Sequence, residues 1–222
     1  MMRTNAFIFD LDGTLVDSLQ DIANALNGAL AEVKLQRVSL EQVRGWVGDG
    51  LPMLCRRAAP NVASDTHNHL VQLVQQHYRS HCTDNTRPYP KVLQMLDLLK
   101  DRSTPMAVLS NKPHAFAVQV VDQLGLGRYF GNVCGYMHER DKKPAPEHAL
   151  RVARQYAVEP SDILFVGDSV VDIQTARNAG MIAVAVTWGL RSRFELAAAK
   201  PDYLVHDPME IPRLPGNRPY LK

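Results

Sequence analysis

The stretch F7-I8-F9-D10-L11-D12-G13-T14-L15-V16-D17-S18 decides how the rest of the chain is read. Phe7-Ile8-Phe9 has the apolar character of a short buried strand. It ends in two carboxylates one residue apart, followed at once by Gly-Thr. Asp-Gly after a strand is often no more than a turn. Two carboxylates at the end of a buried strand are also what a polar site at a sheet edge requires.

Working outward, residues from Asp17 to about Val33 place Leu19, Ile22, Ala23, Leu26 and Leu30 along one helical face. Ser39 and Gln42 have the spacing of a capping box and predict a short helix through Val47. Gly45, Gly48 and Gly50 predict a loop. Leu70, Val74, Tyr78 and Cys82 step every four residues and predict another helix. After Arg87-Pro88-Tyr89-Pro90 the pattern changes. Strands are predicted at Met106–Leu109, weakly near Val133, at Ile163–Val166 and at Ile182–Val186. Helices are predicted over Lys91–Lys100, Pro113–Leu124, Glu147–Tyr156 and Ile173–Asn178. Near-continuous apolar strands alternating with helices argue for a parallel sheet covered on both faces. The expected fold is therefore α/β, a doubly wound Rossmann-like core (1–15 and 88–222) with an inserted all-helical cap (16–87). Pro208, Pro212, Pro215 and Pro219 predict an irregular tail.

In doubly wound sheets, ligands sit beyond the carboxyl ends of the strands. Here those ends carry Asp10 and Asp12, then Ser110 and Asn111, then Gly167, Asp168 and Asp172, with Lys142 and Lys143 before Pro144. Carboxylates suit a hard cation such as Mg²⁺, which takes one or two of them beside phosphate oxygens. A carboxylate can also attack phosphorus, and a second one can move the proton of the leaving group. A lysine and a serine hydroxyl would stabilise the transferring phosphoryl group.

The segments DLDGTLVDS (10–18), LSNK (109–112), KKPAP (142–146) and GDSVVD (167–172) resemble, in order, the four motifs of the haloacid dehalogenase superfamily. DxDGT is the phosphatase form, and the helical insert resembles the C1 cap. Asp17-Ser18, VRGWVGDGL (43–51), SNKP (110–113) and Lys142-Lys143-Pro144 resemble the phosphoglycolate phosphatase group. The resemblance implies Asp10 as nucleophile and metal ligand, and Asp12 as general acid/base with its carbonyl on the metal. It implies Ser110 and Lys143 as catalytic and phosphoryl-binding groups, with Thr14 and Asn111 also holding phosphate. Asp168 and Asp172 would complete a Mg²⁺ site. Lys142 competes with Lys143, and the position directly before proline favours Lys143. Arg44, Trp46 and Gly48 are expected to contribute specificity from the cap.

The expected activity is hydrolysis of a small phosphomonoester, 2-phosphoglycolate first and a sugar phosphate second, through an aspartyl-phosphate. A phosphomutase on the same fold is the alternative enzyme, and a non-catalytic phosphate-ligand or partner-binding module is the alternative class. A dehalogenase needs no metal and lacks the second acid, so Asp12 and Asp168 argue against it.

At 222 residues, 45% hydrophobic and with a net charge of +2, the chain suits one large domain or a domain with an insert, and its charge does not point to nucleic acid or a membrane surface. No apolar run approaches the roughly 20 residues of a membrane helix, and Met1–Asn5 carry no signal-peptide pattern. Cys55, Cys82 and Cys134 are odd in number and form no CxxC, which predicts free thiols in a cytoplasmic protein. A monomer or a homodimer fits equally. His67, His69, His77 and His81 could suggest zinc, but without HExxH they read as a solvated helix face. Arg56, Arg57, Arg191 and Arg193 read as solvated.

Overall fold

The computed structural model describes residues 6–215. Met1–Asn5 and Pro219, on which sequence expectations fall, lie outside that range. The first strand, β1 (Ala6–Phe9), is followed by the two-residue β2 (Val16–Asp17) and by four helices. These are α1 (Leu19–Glu32), α2 (Leu40–Trp46), α3 (Leu51–Ala58) and α4 (Ser64–His81). The chain returns through β3 (Arg87–Pro88), which pairs antiparallel with β2. There follow α5 (Val92–Asp101), β4 (Met106–Pro113), α6 (His114–Gln123), β5 (Asn132–Tyr136) and α7 (Glu147–Tyr156). The last elements are β6 (Ile163–Gly167), α8 (Val170–Asn178), β7 (Ile182–Val186), α9 (Arg193–Ala198) and β8 (Tyr203–Val205).

Six strands form one sheet in the order β5-β4-β1-β6-β7-β8, and every pairing in it is parallel. Such a sheet must bury both faces, and the alternation along each strand shows how. Phe7, Phe9, Val108, Leu164 and Val166 join one apolar cluster, which continues into α1 and α4. Ala6, Ile8, Ala107 and Phe165 join a second, with Ala149, Val152, Ile173 and Ala176 from α7 and α8. The helical residues between β2 and β3 thus share a continuous apolar interior with one face of the sheet. The capping box predicted at Ser39 is present, with Gln42 Nα donating to Ser39 Oγ at 3.2 Å.

Some elements differ from expectation. Gly45 lies inside α2, and Gly50 is the N-cap of α3, a helix the glycine spacing had masked. The Pro-rich end carries a 3₁₀ segment, Pro208–Arg213, and is not wholly irregular, and just before it lies β8, for which no strand was expected. A three-residue edge strand is too short to carry a periodic signal.

Chain order places β1 at the point where the winding reverses. β4 and β5 lie on one side, and β6, β7 and β8 on the other. Phe9 is level with Val108 and with Val166. The residues just beyond these three, on adjacent strands, therefore meet at one edge.

Candidate active site

Beyond β1 the chain turns sharply. The Leu11 carbonyl accepts from the Leu15 and Val16 amides at 3.0 and 3.1 Å, and Gly13 Nα donates to the Val16 carbonyl at 2.9 Å. Gly13 has φ +85°, and a Cβ there would lie 2.3 Å from Asp168 Oδ2. Glycine is therefore required twice, for the left-handed backbone and for the close approach of a second motif. Thr14 is buried, and its Oγ1 has no hydrogen-bond partner among the described residues. Its carbonyl accepts from Trp188 Nε1 at 3.0 Å.

Asp10, Asp12, Ser110, Asn111, Lys143 and Asp168 line one cavity. Lys143 Nζ lies 2.8 Å from Asp10 Oδ1 and 2.6 Å from Asp172 Oδ1. Asp10 Oδ1 thus shares the Lys143 ammonium with Asp172. Asp172 is the N3 residue of α8, where it forms a capping box with Ser169; Ser169 Oγ donates to Asp172 Oδ2 at 2.6 Å. With Oδ1 taken by Lys143 and Oδ2 by Ser169, Asp172 acts here as an anchor for the lysine. Asp168 Oδ2 accepts from the Leu190 amide at 2.6 Å.

Ligand atoms of Asp10, Asp168 and Asp172 all lie within 4.8 Å of one another, and all three residues are buried. Burial raises the Asp168 carboxyl to about 8, and the neighbouring Asp10 and Asp172 charges add to the rise. Burial likewise raises Asp10 to about 6, against the opposing pull of Lys143. Of the four carboxylates here, Asp10 and Asp172 pair with the Lys143 ammonium and Asp12 with that of Lys112, while Asp168 accepts from a backbone amide. The clustered hard oxygen donors of Asp10, Asp168 and Asp172 fit a divalent cation.

The Lys112 contact was not assigned a role from sequence. Its Nζ donates to Asp12 Oδ1 and Oδ2, each at 2.9 Å, and Ser18 Oγ donates to Asp12 Oδ1 at 2.5 Å. Burial opposes the charge on Lys112, yet Asp12 beside it holds the ammonium above its ordinary range. Lys112 reaches inward because β4 runs on through Ser110, Asn111 and Lys112 with a register shift between Leu109 and Pro113. That irregularity breaks the alternation, so all three side chains are buried. Lysine within LSNK was visible in sequence, but its partner, a hundred residues away, was not.

Asn111 Oδ1 accepts from the Lys143 amide at 2.7 Å, and Nδ2 donates to the carbonyls of Lys143 at 3.0 Å and Gly48 at 2.9 Å. Arg191 donates to the carbonyls of Arg44 at 2.7 Å and Val47 at 2.5 Å. Lys142 Nζ donates to the Asp49 carbonyl at 3.2 Å. Three side chains from loops and strand ends at the sheet edge thus grip the segment between α2 and α3. Arg191 is therefore not solvated as its sequence context suggested. Gly48 lines the cavity, whereas Arg44 and Trp46 are not among its lining residues. The Arg44 side chain pairs with Glu41 at 3.5 Å, and Trp46 packs against the apolar cluster. Of the histidines, His67 is buried with Nε2 3.0 Å from the Pro52 carbonyl, and His77 and His81 pair with Glu32 and Asp84.

At the edge of the parallel sheet, a central strand ending in paired carboxylates is thus joined by two lysines and two further acids in one place. The sequence matches the family model "Haloacid dehalogenase-like hydrolase" over residues 7–186, and the chain belongs to that family. It is 36% identical over 216 residues to a phosphoglycolate phosphatase of Pseudomonas savastanoi pv. phaseolicola, covering 94% of this chain and 78% of that one. It is 34% identical over 217 residues to a phosphoglycolate phosphatase of Neisseria meningitidis, covering 94% and 92%. The crystal structure of a predicted phosphoglycolate phosphatase from Haemophilus somnus 129PT superposes with a TM-score of 0.90 at 31% identity, covering 96% of this chain and 98% of that one.

Proposed function

We propose that the protein is a Mg²⁺-dependent phosphatase for a small phosphomonoester, 2-phosphoglycolate first and a sugar phosphate second. The observation that carries this reading is one cavity with Lys143 at Asp10, Lys112 at Asp12 and Asp168 alongside. The relatives named above support the choice of substrate. The helical segment 16–87 acts as the cap over the core formed by 1–15 and 88–222. Three free, buried cysteines suit the cytoplasm.

In this mechanism Asp10 attacks phosphorus. The P–O bond to the leaving group breaks, and Asp12 gives its proton to the departing alkoxide. Asp12 then takes a proton from the water that attacks the aspartyl-phosphate, returning Asp10 and releasing phosphate. Lys143 and Ser110 hold the phosphoryl oxygens, Thr14 Oγ1 and the backbone near Asn111 assist, and Asp172 fixes Lys143 in place. Asp10, Asp168 and the Asp12 carbonyl, with Asp172 directly or through water, would hold Mg²⁺, which would supply the positive charge that lets a carboxylate approach an anionic ester.

Phosphate release from 2-phosphoglycolate in Mg²⁺ tests the reading. Chelation should abolish release reversibly. Asp10→Asn should abolish turnover while leaving the circular dichroism spectrum unchanged; wild-type activity in that variant would remove Asp10 as nucleophile. Rearranged ester without free phosphate would identify a mutase instead.

A further inference from the structure

We propose that Lys112 selects substrates carrying a carboxylate beside the ester carbon, by exchanging the Asp12 carboxylate for that of the substrate. The proposal rests on the phosphatase reading and names what its leaving-group pocket recognises.

Among the described residues lining the cavity, three side chains are cationic: Lys112, Lys143 and Arg191. Lys143 is held between Asp10 and Asp172, on the phosphoryl side. Arg191 is committed to two backbone carbonyls and lies 3.8 Å from Glu195. Lys112 has Asp12 as its carboxylate partner. The rest of its setting is aromatic and aliphatic. Its Nζ stands 4.6 Å from the centre of the Tyr78 ring, which meets Phe116 edge-on at 5.3 Å. Ile22, Leu54 and Val74 continue the wall. A leaving group entering this end of the cavity meets one ammonium group, the Tyr78 hydroxyl beside it and hydrocarbon, a setting in which a charge pair is stronger than in water.

The distances suit a small acid. To protonate the ester oxygen, Asp12 must come within about 2.7 Å of it. Lys112 Nζ is 2.9 Å from each Asp12 oxygen. In a glycolate leaving group a single methylene separates the ester oxygen from the carboxyl carbon. Ordinary bond lengths then put the carboxylate oxygens about 3 Å from the ester oxygen. One ammonium, with three donors, can therefore pass from Asp12 to the substrate carboxylate with little movement. The exchange frees Asp12, which takes up a proton from solvent once it has given up the ammonium, to turn toward the leaving oxygen and pass that proton on, while Ser18 keeps its hold on Oδ1. A neutral leaving group offers no replacement. Asp12 would have to leave a buried cation unpaired, which is costly.

The test compares kcat/KM for 2-phosphoglycolate and for 2-hydroxyethyl phosphate, which is similar in length and has no carboxylate. Wild type should prefer the acid by roughly 10- to 100-fold, the range expected of one hydrogen bond to a charged group. Lys112→Met should bring the ratio close to one, and Lys112→Arg should retain part of the preference. Equal wild-type values on the two esters would overturn the proposal, and that comparison needs no variant. An equal loss on both esters in Lys112→Met, with the ratio kept, would also overturn it, leaving Lys112 as a support for Asp12 alone. Wild-type hydrolysis of other phosphomonoesters without preference for the acid sinks the Lys112 assignment and leaves the phosphatase reading standing. Release of phosphate from no phosphomonoester sinks both.

Discussion

Asp10 and Asp12 are two residues apart and meet different partners. Asp10 faces Lys143, which Asp172 shares. Asp12 is held by Ser18 and Lys112. Asp12→Asn keeps the shape and removes the proton carrier. It should lower turnover by roughly 10²–10⁴-fold, read as slower formation and slower decay of the phosphoenzyme in rapid-quench measurements. Loss confined to one of those steps would contradict a single residue acting as both acid and base. The carboxylates, Ser110 and Lys143 were recognisable in sequence as strand-end residues of motif type. Lys112 and Ser18 lay inside the same motifs, yet their role depends on a contact across the fold.

At the scale of elements, the segment between α2 and α3 is held by donors from β4, from the loop before α7 and from the loop after β7. Each donor is a side chain, and each acceptor is a backbone carbonyl of the cap. Arg191→Ala removes two such bonds, each worth about 1.5–3 kcal/mol when the donor is charged. It should speed amide exchange over residues 44–50 and lower kcat/KM by about tenfold or more. Unchanged exchange there would show that Arg191 does not hold the segment. The α8 cap gives a second case. Ser169→Ala should cost about 1 kcal/mol, lowering Tm by about 2–4 °C in a chain of this size, and should also weaken catalysis by loosening Asp172. Wild-type kinetics in that variant would separate the cap from the site.

For the whole molecule, the buried acids set the dependence on pH and metal. The carboxyls of Asp10 and Asp168 sit at about 6 and about 8, raised above their ordinary value by burial first. A carboxyl raised in the folded state contributes stability below its unfolded value, and that contribution is lost as pH rises through the folded one. The metal-free protein should therefore lose stability from about pH 4 up to about pH 8 on account of these two groups. A divalent cation must displace those protons, so it should bind more tightly at pH 8 than at pH 5.5. Mg²⁺ at about 100 times its Kd should add about 2.7 kcal/mol, a rise in Tm of roughly 5–10 °C. Scanning calorimetry at the two pH values checks this, and an equal rise at both would show that these carboxyls do not hold the ion.

The parallel sheet, the helices after the first strand and the residues expected to bear chemistry at strand ends could all be read from the amino-acid order alone. Those are local properties: the apolar runs, their period and the residue that ends each one. It took the folded arrangement to show that Lys112 meets Asp12, that Asp172 anchors Lys143, and that Arg191 and Asn111 reach the backbone of residues 44–48. Such pairings join residues from about 30 to nearly 150 positions apart, and no periodicity records a distance set by how strands of one sheet are stacked side by side.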